Sequence, residues 1–189
     1  SDYSRINLKD TADEINKRHT NKKYSGSKKL HKNIKATTNQ KDVLSLSHVI
    51  VCIPSSTVRS FFKKNKKHIS SKTSFLIASK GLEKKTFNSM SEILNEELCS
   101  ESNISVLSGP NLASEIIEGM AAACVIAAKN KKTGKSFSNI LDTPSFKVFL
   151  NDDVKGVELA GALKNIYAIV SGLSDGLGNK KNTKAMTVS

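Results

Sequence analysis

A lysine in the C-terminal part of the chain has the surroundings of a catalytic acid or base. Lys164 lies in a segment, 158–169, whose apolar residues recur at helical spacing. On the neighbouring face of the predicted helix, the residues around the lysine are small: Ala160, Gly161, Ala168 and Ser171. No acidic residue stands three or four positions away, so no ion pair within the helix can hold the ammonium. If this face is buried, desolvation would make the ammonium more acidic, whereas a lysine that extends into water is the plainer alternative.

A second lysine and two glycine turns follow predicted buried strands. Three apolar runs end in polar turns, which read Pro54-Ser55-Ser56, Ser79-Lys80-Gly81 and Ser108-Gly109-Pro110-Asn111. Ligands of open α/β sheets bind at the carboxyl ends of strands, where Lys80 places a cation and the peptide groups after Gly109 offer donors to an anion. Two lysines and a helix start at one crevice would suit a phosphate-bearing substrate with a polarisable oxygen. Alternatively, the prolines only end strands and Gly81 only turns the backbone.

The elements that position these residues alternate along the chain. Continuous apolar runs predict buried strands, and amphipathic segments between them predict helices. This order is typical of an α/β, doubly wound (Rossmann-like), mostly parallel sheet, closed by the helix that carries Lys164. Before the first run, Tyr3-Ser4-Arg5 is interpreted as the tail of a strand, and 20–33 as a loop. The predicted strands are 49–53, 75–78, 104–107, 122–127 and 146–150.

Composition excludes several classes of protein. The 189 residues carry a formal charge of +13, but the basic residues are mostly dispersed lysines, and there are three tyrosines and no tryptophan on which bases could stack. We therefore expect no nucleic-acid partner, although a basic surface would steer an anionic substrate.

The longest apolar run, 120–128, is too short to cross a membrane. Three widely spaced cysteines and four histidines suggest no disulfide or metal site. A reducing, cytoplasmic location is the natural expectation.

Several motifs, in this order, resemble those of the soluble NAD(P)-dependent glycerol-3-phosphate dehydrogenase family. The resemblance runs through nearly the whole chain, so it is far more specific than any one motif would be. The most distinctive are the segments around Gly109 and around Lys164. The matching segments are 51–55, 78–83, 108–115, 156–169, 171–178 and 182–185.

The resemblance implies reversible hydride transfer between NAD or NADP and the C2 carbon shared by dihydroxyacetone phosphate and sn-glycerol 3-phosphate. Lys164 would be the catalytic general acid and base, and would bind substrate together with Asn165. Lys80 would contact both substrate and cofactor. The remaining implied contacts are Gly109 and Asn111 with substrate, and Arg5 and Ala113 with the cofactor; an arginine at position 5 is compatible with NADP.

The chain also departs from the family pattern. None of its ten glycines forms the Gly-x-Gly-x-x-Gly turn that cradles a pyrophosphate, and Asn179-Lys180-Lys181 replaces the usual glycine and acidic residue. We therefore expect an internal fragment: an incomplete dinucleotide-binding domain over 1–152 and the start of a truncated helical substrate domain over 153–189. Such a fragment is expected to be inactive alone. The full-length enzyme would form a homodimer and would serve glycerophospholipid biosynthesis and carbohydrate metabolism.

Two other functions stay open at this point. One is a different hydroxyacid dehydrogenase of the same architecture, since a Lys-Asn pair on a helix recurs among such enzymes. The Gly109-Pro110-Asn111 turn favours glycerol-3-phosphate dehydrogenase over this alternative. The other is a non-catalytic basic module that binds nucleic acid or an acidic partner. Salt-dependent DNA binding would support that module.

Overall fold

The structure, a computed structural model, describes residues 8–99 and 103–188, with side chains as far as Met186. Arg5 and the predicted strand tail around it lie outside the described residues, and both stay predictions. The helices are α1 (Leu8–Arg18), α2 (Lys22–Ser25), α3 (Gln40–Leu44), α4 (Val58–Asn65), α5 (Met90–Leu98), α6 (Ala113–Ile117), α7 (Lys131–Leu141), α8 (Val154–Gly176) and α9 (Lys181–Val188). The strands are β1 (His48–Val51), β2 (Ser74–Ile77), β3 (Ile104–Ser108), β4 (Ala122–Ala127) and β5 (Phe146–Asn151).

The strands form one sheet in the order β1-β2-β3-β4-β5. The first three run parallel, β4 is antiparallel to β3, and β5 is parallel to β4. The predicted Rossmann-like, mostly parallel sheet is therefore confirmed, and each predicted strand lies within two residues of an observed one. The reversal at β4 follows from its connection, because a parallel crossover needs an element long enough to return along the sheet. The five-residue α6 does not return that far, so β4 starts at the edge where β3 ends.

The hydrophobic core has two sides, because successive side chains of β2 point to opposite faces. Phe75 and Ile77 join the larger cluster, in which α4 and α5 pack on the sheet, whereas Leu76 joins a smaller cluster under α7. In the larger cluster the ring of Phe62 packs edge-on against Phe61 at 5.3 Å and against Phe75 at 5.5 Å between centroids. This packing fixes the polar turns that follow β1 and β2. Among the described helices, none is both long enough and apolar enough to cross a bilayer.

We expect Phe62→Ala to lower the free energy of unfolding by about 3–5 kcal/mol, because it would leave a cavity between α4 and the sheet. Phe62 is fully buried, while Phe149 on the edge strand β5 is 61% exposed. The matched control Phe149→Ala should change stability by less than about 0.5 kcal/mol. Urea unfolding of both variants measures the difference. Equal losses would contradict the assignment of Phe62 to the core.

Candidate active site at the carboxyl edge of the sheet

The ends of β1 and β2 are tied together at the carboxyl edge of the sheet, where the sequence predicts the crevice. The Ser79 backbone N–H donates to the Val51 carbonyl at 3.1 Å, and the Ser79 hydroxyl donates to the Ile53 carbonyl at 2.6 Å. The next residue is Lys80, whose side chain crosses to the end of β3 and donates from Nζ to the Gly109 carbonyl at 3.3 Å. One lysine thus links the two turns that the sequence placed at the mouth of the sheet.

The electrostatic setting of Lys80 leaves its charge unneutralised. Partial burial lowers the pKa of Lys80 from its usual value, and the positive charge of Lys164 lowers it further. Its hydrogen bond goes to a neutral carbonyl, and within the described part of the chain no carboxylate is paired with it. An anion that bound there would therefore not have to displace a carboxylate of the described residues from the Lys80 ammonium.

The turn after β3 requires a glycine and ends in an unpaired acceptor. A Cβ atom at Gly109 would lie 2.6 Å from the Ala123 carbonyl oxygen and 2.9 Å from Cys124 Cα, so only glycine lets β3 end this close to β4. Two residues on, the Asn111 backbone N–H donates back to the Gly109 carbonyl at 3.0 Å. The Asn111 side-chain Oδ1 is buried and has no hydrogen-bond partner among the described residues. Buried acceptors are normally satisfied, so an ordered water or a ligand hydroxyl is needed to complete its hydrogen bonding.

Helix α8 also reaches this edge of the sheet, next to Lys80. Asp153 caps its first turn by accepting from the Gly156 backbone N–H at 2.8 Å. Gly161 is buried against the end of β3: a Cβ atom there would lie 2.8 Å from Ser108 Oγ and 3.8 Å from Lys80 Cδ. The face of small residues found in the sequence is therefore buried at this one position. Nearly one turn further along, Lys164 stands beside Lys80 with its side chain exposed.

The structure brings some of the predicted site residues together and leaves others apart. Lys80, Gly109 and Lys164 converge, with the Asn111 acceptor following the Gly109 turn. Ala113 begins α6 and is exposed, as is Asn165. Their predicted contacts with cofactor and substrate stay predictions. No group of three or more metal-binding side chains occurs in the described ranges 8–99 and 103–188.

Sequence reasoning missed the ionic cluster behind Lys80. Arg59 on α4 donates to both Glu83 oxygens at 2.7 and 2.9 Å, and also to Glu96 at 2.7 Å and Glu97 at 3.1 Å on α5. Glu83 comes three residues after Lys80, so the bidentate pair fixes the segment that carries the lysine. The partners of Arg59 are 24 to 38 residues away along the chain, and no local pattern signals such a contact.

The fold and the crevice together define a Rossmann-like α/β protein of the dinucleotide-binding type. Residues 4–134 match the description "NAD-dependent glycerol-3-phosphate dehydrogenase N-terminus", and residues 153–189 match "NAD-dependent glycerol-3-phosphate dehydrogenase C-terminus". The chain belongs to the NAD-dependent glycerol-3-phosphate dehydrogenase family.

Individual relatives agree with this assignment. The glycerol-3-phosphate dehydrogenase [NAD(P)+] of Halothermothrix orenii is 37% identical over 177 residues, covering 93% of this chain and 51% of the relative. The solved structure of glycerol-3-phosphate dehydrogenase from Coxiella burnetii superposes with a TM-score of 0.80 at 31% identity, covering 94% of this chain and 55% of that one. The enzyme of Saccharomyces cerevisiae gives a TM-score of 0.83 at 28% identity, with 94% and 53% covered. The chain spans about half the length of the curated relatives it matches.

The contact at Gly161 predicts opposite effects for the same substitution at two positions of α8. Gly161→Leu should lower the urea unfolding midpoint, because the side chain would push α8 off β3. The control Gly172→Leu has no atom within 4 Å of its added Cβ and should raise stability by about 0.5–1 kcal/mol through better helix propensity. A similar gain in both variants would show that the close approach of α8 to β3 is absent in solution.

The Arg59 cluster predicts a pH-dependent loss of stability. Arg59 holds the pKa of Glu83 at about 2, below its ordinary 4.5, so the ionised pair stabilises the fold above about pH 4.5 and this contribution disappears as pH falls towards 2. Arg59→Met should therefore lower the urea midpoint at pH 7 more than at pH 3. The exposed Lys17–Asp13 pair is the control, and Lys17→Met should have little effect at either pH. A pH-independent loss in Arg59→Met would contradict the ionic explanation.

Proposed function

We propose that this chain forms the catalytic crevice of a glycerol-3-phosphate dehydrogenase that interconverts dihydroxyacetone phosphate and sn-glycerol 3-phosphate with NAD or NADP. The observation that carries the proposal is the convergence of Lys80, Lys164 and the Gly109 turn, in a chain that belongs to this family. Two neighbouring cations suit a phosphorylated substrate better than an uncharged one. The basic net charge of +13 would also speed the approach of an anion.

The residues present fit the nicotinamide end of the cofactor. Backbone approach is close at two turns: a Cβ at Gly109 would collide with β4, and Gly81 adopts φ +130° with Ser55 Oγ 3.0 Å from its Cβ position. At both turns the backbone atoms would be available to contact the nicotinamide ring. Lys80 and Ala113 would contact the cofactor, and Arg5 would meet its ribose or 2′-phosphate. When bound, the reduced cofactor supplies the hydride.

The side chains divide the remaining work between binding and proton transfer. Lys80, held by the Gly109 carbonyl, would attract the anionic substrate, and Asn111 Oδ1 would accept from a substrate hydroxyl. Lys164 would give its proton to the C2 oxygen as the ketone is reduced, and take it back when the alcohol is oxidised. Asn165, next to Lys164, would orient that oxygen.

Two domains would share this site, divided at residues 152 and 153. The proposed dinucleotide-binding domain, 1–152, supplies Lys80 and the Gly109 turn, and the proposed helical substrate domain, 153–189, supplies Lys164. Two surfaces are open in the described part of the chain. Ile50 on the outer strand β1 is 47% exposed, and Ile169 on α8 is 71% exposed. Further strands and helices would cover both in a protein as long as the relatives.

The protein's surroundings are part of the same proposal. We infer a cytoplasmic enzyme that binds no nucleic acid and forms a homodimer at full length, in keeping with lysines dispersed over loops and helix ends. An alternative hydroxyacid dehydrogenase activity would use the same fold. A panel of 2-ketoacids beside dihydroxyacetone phosphate separates the two by which ketone the protein reduces with NADPH.

The decisive test removes the proposed acid. In the natural polypeptide that contains these residues, Lys164→Ala should lower kcat for dihydroxyacetone phosphate by about 10²–10⁴-fold, measured as loss of NADPH absorbance. Lys155→Ala, an exposed lysine on the same helix, should leave kcat unchanged. Full activity in Lys164→Ala, or no activity of the unaltered protein on this substrate, would refute the proposed function.

A further inference from the structure

Helix α8 is anchored by a carboxylate as well as by Gly161. Glu158 accepts three hydrogen bonds from the start of α5: from Ser89 Oγ at 2.6 Å, from the Ser91 backbone N–H at 2.9 Å and from Ser91 Oγ at 2.5 Å. We propose that Glu158 is a positioning residue, whose carboxylate locks α8 onto α5 and thereby sets where Lys164 stands in the crevice. This inference rests on the proposed function only for the role of Lys164.

The receiving end of α5 is itself rigid. Ser89 is the N-cap and forms a capping box with Glu92: the Ser89 backbone N–H donates to Glu92 Oε2 at 2.8 Å, and the Glu92 N–H donates to Ser89 Oγ at 3.4 Å. The Ser89 hydroxyl is therefore already oriented when it donates to Glu158. Glu158 also takes up the free Ser91 N–H of the first turn, where the helix dipole favours negative charge. Three donors on a capped helix end give the carboxylate a defined geometry.

The anchor reaches Lys164 through the helix backbone. Glu158, Gly161 and Lys164 are spaced three residues apart, so they follow one side of α8, and the outer two are separated by about 9 Å along the axis. Contact at Gly161 fixes the distance of α8 from β3, but a glycine has no side chain to resist rotation or sliding. Glu158 supplies that resistance on the neighbouring helix. Together the contacts at Gly161 and Glu158 determine the position of the Lys164 ammonium.

A second link between the same two helices provides a matched comparison. Lys155 on α8 lies 3.5 Å from Glu92 on α5, but their side chains are 73% and 45% exposed. Exposed pairs of this kind contribute little, whereas Glu158 is partly buried and fully hydrogen-bonded. Lys155→Ala therefore removes a link between α5 and α8 without removing the anchor.

The test compares Glu158→Ala, Glu158→Gln and Lys155→Ala in the natural polypeptide that contains these residues. Glu158→Ala should lower kcat for dihydroxyacetone phosphate on the order of 10- to 100-fold, the effect of moving a reacting group by about 1 Å, with the KM for NADPH within about twofold of the parent. Glu158→Gln keeps an oxygen that accepts from the Ser91 N–H, and its amide N–H groups would donate to the Ser89 and Ser91 hydroxyls, which would then act as acceptors. It should therefore recover most of kcat. Lys155→Ala should match the parent. Equal kcat in Glu158→Ala and the parent would overturn the inference.

A readout independent of activity separates this inference from the proposed function. Lysine-labelled NMR samples report the titration of Lys80, assigned with Lys80→Arg. Displacing α8 would expose the part of Lys80 that now lies against Gly161 and would move the Lys164 charge away from it. The pKa of Lys80 should therefore rise towards its ordinary value in Glu158→Ala and much less in Glu158→Gln. An unchanged Lys80 titration in folded Glu158→Ala would overturn the anchor even if the parent proved inactive on dihydroxyacetone phosphate. If Glu158→Ala fails to fold, the same comparison is made with Ser91→Ala, where an unchanged titration and kcat would likewise overturn it.

Discussion

The site depends on the close approach of α8 to the end of β3, which is possible because position 161 has no side chain. The added Cβ of any other residue would meet Ser108 Oγ at 2.8 Å and begin to crowd the Lys80 stem. The approach buries Gly161 and covers part of Lys80, and the following turn brings Lys164 to the same crevice. Val154 and Val157, earlier on the same helix, also pack against the larger core cluster, and Glu158 binds the start of α5. The missing side chain at Gly161 therefore sets how closely α8 approaches β3 beside Lys80.

Bringing two ammonium groups together costs free energy that the described residues do not recover by ion pairing. Lys80 is partly desolvated, faces a second positive charge and donates only to a neutral carbonyl. The bidentate pair of Arg59 with Glu83 belongs to a separate cluster that also holds Glu96 and Glu97, and none of these three carboxylates is paired with Lys80. An anionic ligand would relieve this repulsion, so under the proposed function the unfavourable interaction between the lysines would contribute to affinity for a phosphate-bearing molecule. The same arrangement would favour that molecule over an uncharged ketone.

The sequence alone predicted the sheet, and it predicted that Lys80 and the Gly109 turn follow buried strands. The strands are continuous apolar runs, and the turns after β2 and β3 contain Lys80 and Gly109, whose types already indicate ligand contact. The contacts that assemble the site could not be predicted. Gly161 against Ser108, Arg59 with Glu83 and Glu158 with Ser91 all join residues far apart in the chain, where periodicity carries no information.

The exposure of Lys164 bears on how such a site could work. A general acid needs to be within hydrogen-bonding distance of the oxygen it protonates, and electrostatic interactions strengthen once water is excluded. The sheet already excludes some water from Lys80, whereas Lys164 is reached from solvent. Beyond it, α8 exposes Ile166 at 56% and Leu173 at 62%. A substrate bound at Lys80 would itself exclude water from the space between the two lysines. A further part of the protein packed on the apolar side of α8 would exclude water from the other side of Lys164. In the proposed mechanism the two lysines would therefore serve different steps: Lys80 would attract the anion before binding, and Lys164 would gain low-dielectric surroundings only after the substrate has arrived.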